Sequence, residues 1–200
     1  MQVVLKALLA RHEDLGIPPV RSEVYRHPRH DPAVLRECHE FVRPYLRLAR
    51  YALVAFDREG CGRLDRREEL ERLVETRLSQ NGWDQRCSAI VIDPELEAWF
   101  WGDSPYVENV LGWTRGRPCL EEWLVEKGYL QQGQRKPHRP KDAVEGALRL
   151  SKRKPSSSYL GELAENVSFH GCTDPAFAKL RRVLRQWFAV AGSPGGNPGL

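Results

Sequence analysis

Two short apolar runs, YALVAFD (51–57) and CSAIVID (87–93), constrain this chain more than any other feature. Each is predominantly apolar and too short for an ordinary helix, which suits a strand buried on both faces. Between them, Asp65 with Glu68 three residues on reads as an N-terminal capping arrangement. Leu70, Leu73, Val74 and Leu78 then recur at helical spacing, and Asn81-Gly82 closes the element. Strand, helix, strand in that order predicts a right-handed crossover and a parallel pair. Both carboxyl ends then share one edge of the sheet, the place where α/β folds put their chemistry. Both runs also end on an acid.

The rest of the chain reads as helices around that pair. Val4, Leu5, Leu8, Leu9 and Leu15 predict a helix over 1–15, closed by Gly16. The segment VRSEVYRH (20–27) alternates loosely and predicts a short edge strand. Asp31-Pro32 is expected to open a long helix whose buried face runs from Val34 to Leu46, kinked at Pro44. After Pro94 come PELEAWFWG, CLEEWLVEKG and PKDAVEGALRL, then helices about 159–167 and 175–188. The fold class expected is therefore α/β, with a short, mainly parallel sheet flanked by helices. The organisation expected is a core over 1–150, a helical annex over 151–190 and a flexible tail over 191–200.

Composition narrows the class without naming a function. Lys and Arg outnumber Asp and Glu by 31 to 27, a net charge of +4 that permits an anionic partner without requiring one. Five scattered cysteines without a C-x-x-C pair, and no signal-peptide pattern, predict reduced thiols in a cytoplasmic protein. No apolar run approaches the roughly 20 residues that span a bilayer, so no membrane partner is expected. Histidines and cysteines lack zinc spacing, and no phosphate-loop, nucleophile-elbow or dinucleotide motif is present.

Asp57 and Glu59 stand at the end of the first run, followed at once by Gly60 and Gly62. They are either polar residues of an ordinary turn or carboxylates for a hard cation, which takes one or two from a protein and the rest from water and phosphate. Asp93 would be a third acid, but Asp-Pro recurs at 31–32, 93–94 and 174–175, so helix capping explains it better. Glu97, set between Leu96 and Trp99, is either satisfied by first-turn amides or turned towards a cation. Arg135, Lys136, His138, Arg139 and Lys141 form a basic loop that reads by itself as a solvated surface and alternatively as a phosphate contact. Trp99, Trp101, Trp113, Trp123 and Trp187 lie among apolar neighbours and are expected in the core.

VAFDREG (54–60), IVIDPELEAWFW (90–101) and, more loosely, RPKDAVEGAL (139–148) together resemble a Toprim-type pattern. More narrowly they resemble the small RloB-like and overcoming-lysogenisation-defect nuclease relatives of bacterial phage-defence loci. Residues 169–188 also resemble a component of methylation-associated defence systems. The resemblance implies Mg²⁺ or Mn²⁺ held by Asp57, Glu59 and Glu97, with Lys141 as a basic residue of the catalytic set. It implies nucleic acid and other defence proteins as partners. It also implies a first strand, ending in glutamate, ahead of the helix over 1–15, whereas this chain begins inside that helix. Two functions follow from it: a Mg²⁺-dependent nuclease acting on phosphodiesters, or a non-catalytic subunit that binds a partner within a defence complex.

Overall fold

A computed structural model describes residues 1–101, 106–113, 118–154, 157–169 and 172–188. The tail expected over 191–200 lies outside the described residues. In chain order the elements are α1 (Gln2–Ala10), α2 (His12–Leu15), α3 (His30–Val42), β1 (Ala52–Asp57), α4 (Arg67–Leu78) and β2 (Cys87–Ile92). They continue with α5 (Tyr106–Leu111), α6 (Leu120–Glu126), α7 (Pro140–Leu150), α8 (Ser157–Asn166) and α9 (Pro175–Phe188).

The strands pair in parallel, from Ala52 opposite Cys87 to Asp57 opposite Ile92, in a two-stranded sheet. Side chains alternate across the pleat, so the sheet feeds two separate cores. Val54, Phe56, Ala89 and Val91 pack with Leu35 and Cys38 of α3 and with Leu70, Val74 and Leu78 of α4. Ile90 and Ile92 face the other way, into a larger core shared with Val4 and Leu8 of α1, Leu163 of α8 and Phe177 of α9. Helices therefore cover both faces, as a parallel pair requires. The tryptophans follow suit: Trp99, Trp101, Trp113 and Trp123 are buried, and Trp187 stacks on Tyr51 with ring centroids 4.6 Å apart.

The outer edge of β2 is closed by side chains. Glu71 and Glu75 stand one turn apart on α4. The Ala89 N–H donates to Glu75 at 2.9 Å and the Val91 N–H to Glu71 at 3.1 Å. Lys179 of α9 donates to both carboxylates, at 3.0 and 2.8 Å. Two backbone donors that would otherwise seek a third strand are thus satisfied locally.

Several local expectations are corrected. The helix over 1–15 breaks at Arg11, whose guanidinium donates to the carbonyls of Ala164 and Val167 at 2.7 and 2.8 Å. Tertiary contact overrides the helical pattern there. Residues 20–27 form no strand: their side chains are largely exposed, and they have no apolar face to bury against the sheet. Pro44 does not kink the third helix; α3 stops at Val42 and a 3₁₀ turn, Arg43–Tyr45, follows. Asp65 does not cap α4. It accepts two hydrogen bonds from Arg63, and the start of α4 is closed by the Arg66 N–H donating to Glu69 at 3.0 Å. Of the three Asp-Pro pairs only Asp174 caps a helix, accepting the Ala176 and Phe177 amides at 2.9 and 3.2 Å. Asp93 precedes a cis proline and receives Arg58 at 2.7 Å, and the expected helix beyond it is a single 3₁₀ turn, Leu96–Trp99.

Candidate functional site

The site grows from the carboxyl end of the strand pair. Asp57 is the last residue of β1. The chain then turns across the end of β2, with the Arg58 N–H donating to Ile92 at 2.8 Å and the Glu59 N–H to Pro94 at 3.1 Å. These two bonds bring the 57–59 segment against the 92–97 segment, so acids from both runs collect at one edge.

Asp57 is half-buried, and its Oδ1 is shut away from solvent with no hydrogen-bond partner. Its pKa is pushed up to about 8, first by burial and then by the negative charges of Asp31 and Glu97, against a smaller pull from the Met1 ammonium. Glu97 is 5% exposed on the 3₁₀ turn and accepts the Tyr159 hydroxyl of α8 at 3.1 Å. Burial first, then the charge of Glu97 and this hydrogen bond, push the Tyr159 phenol above its ordinary range. Glu95 is raised to about 7 by burial and then by Glu97 and Glu59. Lys141, at the start of α7, stands 3.9 Å from Glu95 and partly offsets it. Asp31 is raised by burial and eased by the Met1 ammonium. The Met1 amine is itself lowered by burial, with Asp57 and Glu97 acting in the opposite direction.

Gly60 explains how Asp31 reaches this edge. A Cβ on Gly60 would sit 2.7 Å from Asp31 Oδ2, too close for a real contact, so the Asp31 carboxylate keeps this position only while residue 60 has no side chain.

Of the residues singled out from sequence, Asp57, Glu97 and Lys141 belong to this cluster. Glu59 is exposed on its rim, acting on Glu95 rather than on Asp57. Asp31, Glu95 and Tyr159 are additions. Asp31 had looked like a helix cap, and nothing local marks Tyr159, which arrives by tertiary packing from 62 residues beyond Glu97. Two residues of the basic loop already face acids: Lys136 lies 3.7 Å from the buried Asp174, and Arg139 pairs with Asp142 on the surface. Arg135 and His138 are exposed.

Among the described residues, no three His, Cys, Asp or Glu side chains stand together closely enough to ligate one ion directly. The donor set instead suits a hard, water-rich cation that takes one or two carboxylates. A buried carboxylate oxygen without a partner, on which the negative charges of Asp31, Glu97 and Glu95 act, is of the chemical type such an ion takes. No protein-family model matches the sequence, and no curated protein or solved structure is significantly similar to it.

Proposed function

We propose that this chain is a Toprim-like, Mg²⁺- or Mn²⁺-dependent nuclease component of a bacterial anti-phage defence system. One observation carries the reading: Asp57 Oδ1, buried and unpartnered at the carboxyl end of parallel strands, beside Glu97 and Asp31. Asp57 and Glu97 would hold the cation, with Glu95 and Glu59 on the rim in reach of its water shell. Bound there, it would supply charge stabilisation to a phosphodiester oxygen. Lys141 offers a further positive charge at the same edge, and Tyr159 holds Glu97 in place.

A second reading, a non-catalytic subunit that contacts nucleic acid or a partner protein, is favoured by a different observation. Glu97 already accepts a hydroxyl and Glu95 already faces Lys141, so part of the cluster is satisfied by the protein itself. The two readings separate in one experiment. Plasmid DNA and RNA are incubated with the protein in Mg²⁺, Mn²⁺ or chelator, and cleavage is followed on gels. Metal-dependent cleavage abolished in Asp57→Ala supports the nuclease. Inactivity on every substrate with every metal sinks it and leaves the binding subunit.

A further inference from the structure

We infer that the trough between α4 and α9 is a track for the phosphodiester backbone of a nucleic-acid strand, leading to the carboxylate edge. The inference rests on the nuclease reading for its purpose, though the binding it asserts stands apart from catalysis. The trough begins as a cleft of about 420 Å³ whose walls include Arg58, Arg66, Arg67 and the start of α9 at Pro175. A second space of about 720 Å³, sharing Arg67, Glu68 and Pro175 with the first, continues it along Arg72 and Arg182. Arg58 and Asp93, which line its upper end, neighbour the carboxylate edge along the chain: Arg58 follows Asp57 directly and Asp93 lies two residues before Glu95.

The trough also contains acids, but they are occupied. Glu71 and Glu75 bind the β2 edge and Lys179, and Asp174 caps α9 and accepts the Trp99 indole at 3.0 Å. Asp93 pairs with Arg58, and Glu68 with Arg67 at 2.6 Å. Arg66, Arg72 and Arg182 are exposed, and among the described residues none of the three forms an ion pair. What the trough offers a ligand is therefore a line of guanidinium groups. Arg66 and Arg72 are separated by about 9 Å along the helix axis, enough to meet more than one phosphate of a strand. The 131–141 loop is the weaker candidate for this role, since Lys136 and Arg139 already have acidic partners.

The test is anisotropy of labelled 20-mer DNA and RNA oligonucleotides, single-stranded and duplex, with the full chain in chelator over a salt series. The double variant Arg66→Glu/Arg182→Glu should bind at least tenfold more weakly. Its salt dependence should flatten by about 1.4 log units per log unit of salt, for two lost contacts to a single strand. Arg139→Glu should change binding less than twofold. Matched melting curves and the milder Arg66→Gln/Arg182→Gln pair guard against misfolding. Equal binding by wild type and the reversed pair would overturn the proposal. So would no binding by wild type, or polyglutamate displacing the oligonucleotide at equal charge concentration. Metal-induced melting shifts should persist in the reversed pair; losing those would count against the carboxylate site rather than the trough.

Discussion

At the scale of single residues, Asp57 concentrates the electrostatic cost of the carboxylate edge. Its folded pKa of about 8 lies well above that of an ordinary aspartate, and Glu95 at about 7 and Asp31 are raised as well. For an acid raised by folding, the native state holds the proton longer than the unfolded chain. The associated stability is complete below the unfolded pKa and is lost as pH rises through the folded value. Metal-free stability should therefore fall between about pH 4 and pH 8, and Asp57→Asn should flatten that decline. Thermal melts in chelator across this range check it; a profile unchanged by the substitution would remove the strained carboxylate. On the proposed metal site a cation would compete with the proton on Asp57, so the melting shift at millimolar Mg²⁺ should grow from pH 6 to pH 8.5 and vanish in Asp57→Asn. At Gly60 the constraint is steric: a methyl there meets Asp31, so Gly60→Ala should shrink the same shift by displacing Asp31 from the edge.

At the scale of elements, β2 depends on a helix rather than on a neighbouring strand. Its outer amides are held by Glu71 and Glu75, and those carboxylates are balanced by Arg67 and by Lys179, which is 15% exposed. Removing one partner leaves charge buried without compensation, which costs about 3–5 kcal/mol in comparable cases. Lys179→Met should lose roughly that much in urea unfolding, and adding Glu71→Gln should recover part of it, because the amide oxygen still accepts the Val91 N–H. If Lys179→Met unfolds at wild-type urea concentrations, the carboxylate cap does not depend on this lysine.

At the scale of the whole molecule, the C-terminal helices share the core of the strands. Leu163 and Ala164 of α8 and Phe177 and Leu180 of α9 lie in one buried cluster with Val4, Leu8, Ile90 and Ile92. Tyr159 carries α8 into the acidic site itself. A chain ending at Leu150 would expose that cluster on both α1 and β2. It should lose cooperative melting and bind a hydrophobic dye while keeping much of its helical signal. A sharp, two-state melt of the shortened chain would show instead that the first 150 residues fold unaided.

The parallel pair was legible in sequence because two short apolar runs, joined by one amphipathic helix, leave a chain few other ways to bury them. The acids at the strand ends were legible for the same reason, since topology alone puts Asp57 and the 93–97 segment on one edge. What local pattern could not decide was where polar side chains finish. Asp31, Asp93 and Asp174 share the same Asp-Pro context, yet one joins the acidic cluster, one pairs with Arg58 and one caps α9. A cap competes with every other donor the fold brings near, and those donors come from elements far away in the chain. The same holds for Arg11, which ends a helix in order to reach α8. Short-range periodicity determined which segments are buried, whereas only tertiary packing decided which charges meet.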